Sequence, residues 1–341
     1  MLVRGLCWQR PRQKIRAGLK NYLTMKTSTE SKFNSKILLF GEYSLIHDSM
    51  ALSIPFESFE GNLTFSPIKL NPEQAKESTE HMFKYAEYLK ELIQAGELLF
   101  VFDIEAFEED IAKGMLFDSS IPQGYGVGSS GALVAALYEK YAIEKIPNTG
   151  ELSNSQLVKL KEALAQMESY FHGKSSGLDP LICYMKRPML INNKESIDAV
   201  GMPETNINGK GGIFLIDTGQ TGETQPLVNL FVEKCKEEGF LHVIKDELIP
   251  FNNNCIKSFL KGEIKDMFSN LKELSKFLLG RMSPMIPHKF RQAWKQGIET
   301  ESYYLKLCGS GGGGFILGFT EDIEKAKREL KDYKVDVIHR F

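Results

Sequence analysis

Pro122-Gln123-Gly124-Tyr125-Gly126-Val127-Gly128-Ser129-Ser130-Gly131-Ala132 runs without a break into Leu133-Val134-Ala135-Ala136-Leu137-Tyr138. Glycines let the backbone turn tightly and bring successive N–H groups to face one point. The apolar run that follows predicts a buried helix, whose free N-terminal N–H groups and positive dipole end would face the same point. The combination predicts an anion cradle, in which Ser129 and Ser130 add hydroxyls for a phosphate or a metal ion. A flexible surface loop would not explain why so permissive a segment leads directly into a core helix.

Gly126 to Gly131 also satisfies GxGxxG, the dinucleotide fingerprint. That fingerprint needs a buried strand before it and an acid closing the next strand about 20 residues on. Asp118-Ser119-Ser120-Ile121-Pro122 does not read as a buried strand, and Glu151 follows a Pro-Asn-Thr-Gly turn. The chain has neither a GxxxxGK[ST] loop nor the HRD and DFG pair of protein kinases.

Downstream, Lys306-Leu307-Cys308-Gly309-Ser310-Gly311-Gly312-Gly313-Gly314-Phe315 is gripped by apolar segments on both sides. Glycine loses the most entropy on ordering, so a run like this between strands implies close backbone approach to another loop or a ligand. The alternative is a linker. Between the two loops lies Glu168-Ser169-Tyr170-Phe171-His172-Gly173-Lys174-Ser175-Ser176-Gly177-Leu178-Asp179-Pro180. Glu168 falls near the end of a helix carrying Leu157, Leu160, Leu164, Met167 and Phe171 on one stripe, opened by a Ser153/Gln156 capping box. Asp179 follows a loop with two glycines, where a carboxylate can project into a cleft, but taken alone the stretch reads rather as a solvated helix acid and a turn-forming Asp before Pro.

The remainder is organised around these segments. Ser35 to Phe40 reads as a strand, as do Met50 to Phe56, Leu63 to Phe65, and Phe100 to Ile104. Glu73 to Ala95 reads as a charged helix. The Asn-, Gly- and Pro-rich stretch from Asn192 to Gly212 marks a lobe boundary. Beyond it, strands are expected at Gly212–Asp217, Tyr304–Cys308, Phe315–Phe319 and Val335–His339, with helices near 226–238, 256–279, 288–298 and 321–330. This gives an extension over 1–31 and domains over 32–205 and 206–341.

The extension carries Arg4, Arg10, Arg12, Lys14, Arg16, Lys20 and Lys26, and no acid before Glu30. A transit peptide shares that charge pattern but is usually Ser-rich. A non-structural extension, with Met25 as an alternative start, is the plainer reading. A length of 341 residues favours two lobes, and 42% hydrophobic with 25% charged residues is ordinary for a globular chain. A formal charge of −2 gives no reason to expect nucleic acid or a membrane surface as partner. The 5 cysteines and 6 histidines are scattered, without a CxxC, an HExxH or metal-ligand spacing, which suits a reducing cytoplasm.

In this order the stretches resemble the motifs of the GHMP kinases, and within that superfamily they are most similar to those of mevalonate kinases. Lys36-Ile37-Leu38-Leu39-Phe40-Gly41-Glu42-Tyr43 looks like their first motif. Pro122 to Ala132 is similar to PxxxGLGSSAA, His172 to Asp179 to HGxPSGxD, and Gly309 to Gly314 to GAGGGG. The resemblance implies an α+β, two-lobed fold with a ribosomal S5 domain 2-like N-terminal lobe and a ferredoxin-like C-terminal lobe. It implies transfer of the γ-phosphate of ATP to the primary hydroxyl of mevalonate, an isoprenoid-precursor reaction, with Asp179 as base and Lys36 beside it. ATP would be held by Pro122, Gly124, Gly126, Gly128, Ser129, Ser130 and Gly131, and Mg²⁺ by Ser130 and Glu168. Glu42, Tyr43, Thr224, Gly311 and Gly312 would face the alcohol.

Another GHMP kinase, acting on phosphomevalonate or a sugar, is the alternative; a nucleotide-binding regulator is a further one. A homodimer is compatible with the sequence. Four positions depart from the mevalonate kinase pattern: Tyr43 stands for His, Gly131 for Ala, Ser175 for Pro and Pro180 for Asn. Tyr43 lies on the acceptor side.

Overall fold

The computed structural model describes residues 31–66, 68 and 71–341, so all but the last residue of the basic extension lies outside the described residues. The first sheet begins with β1 (Phe33–Phe40) and β2 (Ala51–Thr64), paired antiparallel. The two short strands expected near Met50–Phe56 and Leu63–Phe65 are one long strand. The charged interruption that separates them in sequence is a bulge, where the register jumps from Ser35–Phe56 to Asn34–Glu60.

After β2 come α1 (Pro72–Ala95), β3 (Val101–Phe102), α2 (Ile104–Ala112), β4 (Leu116–Ser119), α3 (Ser129–Tyr141) and β5 (Ala142–Ile143). Then follow α4 (Asn154–His172), α5 (Leu178–Met185), β6 (Met189–Asn193) and β7 (Ser196–Ala199). Capping is written into the sequence. Asn71 accepts from the N–H groups of Glu73 and Gln74 before Pro72 opens α1, and Ser153 and Gln156 cap α4 reciprocally, as their spacing predicts.

The sheet order is β1-β2-β6-β7, with β4 also on β2. Leu52 pairs with Phe40 on one side and Leu190 on the other, and Gly61 likewise with Phe33 and Ser119, so β4 and β6 share the edge of β2 opposite β1. Both run antiparallel to β2 and hence parallel to each other, with α3, α4 and α5 in the chain between them. This crossover brings the starts of α3 and α5 together.

β4 corrects the sequence reading, which finds no strand ahead of the first glycine loop. Asp118 breaks the apolar pattern there, but it is 3% exposed and its Oδ2 accepts the N–H of Ile68 at 2.9 Å. A dinucleotide fold does not follow, because every ladder among the described residues is antiparallel.

The second sheet is four-stranded, in the order β11-β8-β10-β9. Its elements are β8 (Gly212–Asp217), α6 (Thr224–Lys234), α7 (Glu238–Val243), α8 (Ile249–Lys261), α9 (Ile264–Arg281), α10 (Arg291–Thr300), β9 (Tyr304–Leu307), β10 (Phe315–Thr320), α11 (Ile323–Glu329) and β11 (Val335–Arg340). The order, last-first-third-second with helices after the first and third strands, is ferredoxin-like. The helix expected over 256–279 is two, divided where Gly262 takes a left-handed φ of 73° and caps α8. All strands of the first sheet precede residue 200 and all strands of the second follow residue 211. No helix among the described residues is long and apolar enough to cross a membrane.

Candidate active site

Lys36 sits in the middle of β1, between Ser35 and Ile37 of a largely buried strand, and its side chain is 4% exposed. A buried ammonium needs a partner. Its Nζ lies 2.9 Å from Asp179 Oδ1 and donates to the Gly126 carbonyl at 3.1 Å. Burial alone would depress the Lys36 pKa, but the Asp179 carboxylate outweighs it and holds the ammonium above its ordinary value. The Lys36 backbone N–H also donates to Val127 O, at 2.9 Å, so strand and glycine loop are joined at both main chain and side chain.

Asp179 is the second residue of α5, which begins directly after Gly177, left-handed at φ 74°. Its carboxylate is 39% exposed, so it faces Lys36 on one side and solvent on the other.

Glu168, on α4, is 3% exposed. Its two oxygens accept from the Ser130 hydroxyl at 3.0 Å and the Ser175 hydroxyl at 2.5 Å. Burial, reinforced by the nearby Asp179 charge, pushes its carboxyl up to about 7, against the pull of the two hydroxyls and Lys36. Two carboxylates and a hydroxyl, all hard oxygen donors, thus meet at the start of α3. Among the described residues no group of three His, Cys, Asp or Glu side chains forms a metal cluster.

The two glycine loops touch. A Cβ on Gly126 would lie 3.1 Å from the Cys308 carbonyl, and one on Gly309 would lie 3.4 Å from Gly126 Cα. A third segment joins them: Gly222 N–H donates to Gly124 O at 2.9 Å, and the Gln220 side chain donates to Gly312 O at 2.8 Å. The linker reading of Gly309–Gly314 is thereby set aside. Gly311 is buried under the Met285 carbonyl, and Gly312 N–H donates to that carbonyl at 2.7 Å.

Tyr43 adopts φ 62° at the end of the turn after β1. Its ring packs 4.8 Å from that of Phe231 on α6, and its hydroxyl donates to Ser310 O at 2.5 Å. Ser310 Oγ in turn donates to the Thr224 hydroxyl at 3.1 Å. Tyr43, the second glycine loop and Thr224 are therefore contiguous. Pro122 and Ser129 remain in the first loop and at the first residue of α3.

Lys306 is a site residue that the sequence reading passed over. Its side chain on β9 is 2% exposed and its Nζ lies 2.6 Å from Glu42 Oε1. The available signal was a lone lysine within Tyr304-Leu305-Lys306-Leu307, which implies a buried partner of opposite charge. A cavity of about 390 Å³, lined by Phe56, Phe59, Leu215 and Val337, borders this region only at Phe315.

Residues 83–187 match the family model of the GHMP kinases N terminal domain, a span containing the first loop, Glu168 and Asp179. Similar solved folds include the L. major mevalonate kinase in complex with R-mevalonate, at TM-score 0.60 and 15% identity over 92% of this chain and 97% of that one. The Streptococcus pneumoniae phosphomevalonate kinase in complex with phosphomevalonate and AMPPNP aligns at 0.59 and 14% identity, over 91% and 98%. The Lactococcus lactis galactokinase complexed with galactose aligns at 0.58 and 12% identity, over 96% and 99%. A curated relative, the bifunctional fucokinase/GDP-fucose pyrophosphorylase of Arabidopsis thaliana, is 24% identical over 217 residues, which are 61% of this chain and 20% of that protein. The chain thus spans about a fifth of that relative's length.

Fold and comparisons together define a two-lobed α+β chain with the fold that those solved kinases share. More particularly, residues 83–187 carry the match to the GHMP kinases N terminal domain, and the chain is similar in fold to mevalonate kinases.

Proposed function

We propose that this chain is a Mg²⁺- and ATP-dependent kinase that transfers the γ-phosphate to the primary hydroxyl of mevalonate. The observation that carries the reading is the 2.9 Å pair of Lys36 and Asp179 at the point where the first glycine loop and the start of α3 converge. Phosphoryl transfer asks a protein chiefly for positioning and for neutralising charge on the phosphate oxygens. The N–H groups of Gly124–Gly131 and the start of α3 supply an anion site for the triphosphate.

Ser130 and Glu168 are the residues to hold Mg²⁺, with Asp179 close by. This fits an ion that takes few protein ligands and keeps phosphate and water oxygens around it. A bound Mg²⁺ would neutralise charge on the transferring phosphate and offset the mutual repulsion of the two carboxylates. Asp179, exposed on the side away from Lys36, accepts the alcohol's proton, and the Lys36 ammonium favours the alkoxide-like oxygen. Tyr43, Glu42, Thr224 and Gly311–Gly312 border the acceptor. Cys183, Cys235, Cys255 and Cys308 are free, buried thiols, which supports a cytoplasmic setting.

A sugar as acceptor is the second reading. It is favoured by Tyr43, standing where mevalonate kinases carry histidine, and by the similarity to the fucokinase. The test is ATP consumption by the full chain with Mg²⁺ and one acceptor at a time: mevalonate, phosphomevalonate, galactose or fucose. Turnover with mevalonate alone supports the first reading and turnover with a sugar replaces it. ATP consumption with none of them would overturn both.

A further inference from the structure

The turn that carries Tyr43 is attached to the second glycine loop at two places. At its root, Glu42 pairs with Lys306, three residues before Gly309; the Lys306 Nζ also donates to its neighbour's carbonyl, Leu307 O, at 2.7 Å, and sits 5.7 Å from the Phe40 ring centroid. At its tip, the Tyr43 hydroxyl reaches Ser310 O. The turn between these contacts takes φ 119° at Gly41, where glycine is at ease, and φ 62° at Tyr43, which is costly for a residue with a side chain. The Glu42 and Lys306 side chains are 6% and 2% exposed, so both charges have been taken out of water. A buried ion pair is a poor source of stability, because apolar residues of the same volume commonly do as well or better. Its value lies in geometry, since an ammonium and a carboxylate fix one another's position where two methyl-ended side chains would not.

Burial raises the Glu42 carboxyl, Lys306 draws it back, and the Lys36 charge reaches it as well. Asp179 thus pairs with Lys36 beside the first glycine loop and Glu42 with Lys306 beside the second, and the two pairs feel one another through the Lys36 charge. If Lys306 were removed, the unneutralised Glu42 would compete with Asp179 for Lys36.

We infer that Glu42 and Lys306 are a positioning pair, holding the Gly41–Tyr43 turn on the Gly309–Gly314 loop and leaving Lys36 to Asp179. The consequence for turnover rests on the kinase reading; the attachment of turn to loop does not.

The test uses the full chain as wild type, Lys306→Met, Glu42→Gln, the double variant and Lys306→Arg. Because either single change strands a buried charge, the double variant, which removes both, keeps the question answerable if a single one fails to fold. Amide exchange over 41–48 and 308–314 is expected to rise about tenfold in the double variant with the rest of the chain unchanged, and to return towards wild type in Lys306→Arg. In the same proteins kcat with mevalonate is expected to fall about tenfold or more while AMPPNP affinity stays within about threefold. The losses in the two single variants should coincide rather than add in the double. Unchanged exchange in those two segments, or additive losses, would overturn the inference. If the wild type phosphorylates no alcohol, the kinase reading falls and the exchange data still decide the attachment.

Discussion

Asp179 Oδ1 and Lys36 Nζ are 2.9 Å apart, yet the lysine side chain is 4% exposed and the aspartate side chain 39%. The two partners therefore depend on each other unequally. Loss of the carboxylate leaves an ammonium buried beside the Gly126 carbonyl with its paired charge gone, whereas loss of the ammonium leaves a carboxylate that water can still reach.

Asp179→Ala is accordingly expected to destabilise the protein more than Lys36→Met. Stranding a buried charge costs about 3–5 kcal/mol at most, and relief of the Asp179 repulsion on Glu168 offsets part of it. For Lys36→Met about 1 kcal/mol or less is expected, since Asp179 stays solvated. Urea unfolding of both variants checks the order, and a reversed order would mean that Lys36 finds another anion.

For catalysis, Asp179→Asn keeps the shape and a hydrogen-bond acceptor for Lys36 but removes the proposed proton acceptor. Turnover with the productive alcohol should fall about 10²–10⁴-fold. AMPPNP affinity, which the proposed reading assigns to the glycine loops, should hold. Steady-state kinetics beside calorimetric titration separates the two, and near-normal turnover would remove Asp179 from the proposed chemistry.

Glu168 gives a pH dependence with a definite sign. Its carboxyl is pushed up to about 7 in the folded chain from an ordinary value of 4.5. Between those two pH values the folded state holds a proton that the unfolded state has released, so stability falls as pH rises through the window and the loss is complete above it. The melting temperature of the ligand-free wild type, compared with Glu168→Gln, should decline from pH 5 to pH 8. Parallel curves would show that the carboxylate is already ionised at low pH. Mg²⁺ with AMPPNP should raise the wild type most at the alkaline end.

Much of this arrangement was legible in sequence because its parts are local. The capping residues Asn71 and Ser153, the apolar stripe of α4 and the loop-to-helix passage at Gly128–Ser129 each announce themselves within a few residues. What escaped depends on distant partners. β4 was hidden because Asp118 looks solvated until the Ile68 N–H is brought to it. The bulge in β2 looks like a break until β1 bridges it. Lys306 was quoted but given no role, since its partner Glu42 lies at the other end of the chain and only the fold shows that both are buried. Gly126 and Gly309 each signalled a close approach, but not that the approach was to one another.

Gly131 tests how tightly the crossover sets the site. It lies in the first turn of α3, where GHMP kinases commonly carry alanine, and an exposed Gly→Ala change in a helix would ordinarily gain about 1 kcal/mol. Here the added Cβ would sit 2.8 Å from the Asp179 carbonyl carbon and the Pro180 nitrogen. Those atoms are backbone at the start of α5, where Leu181 N–H bonds Gly177 O at 3.1 Å, so they cannot swing aside as a side chain would. Forcing the helices apart costs about 1–3 kcal/mol, more than the helix gain. Gly131→Ala should therefore lower the melting temperature. Because the displaced residue is Asp179 itself, a shift near 1 Å should also cost turnover, on the order of 10²-fold, with AMPPNP affinity little changed. An alanine variant that melts at the wild-type temperature and turns over normally would show that α3 and α5 can separate without moving the Asp179 carboxylate from Lys36.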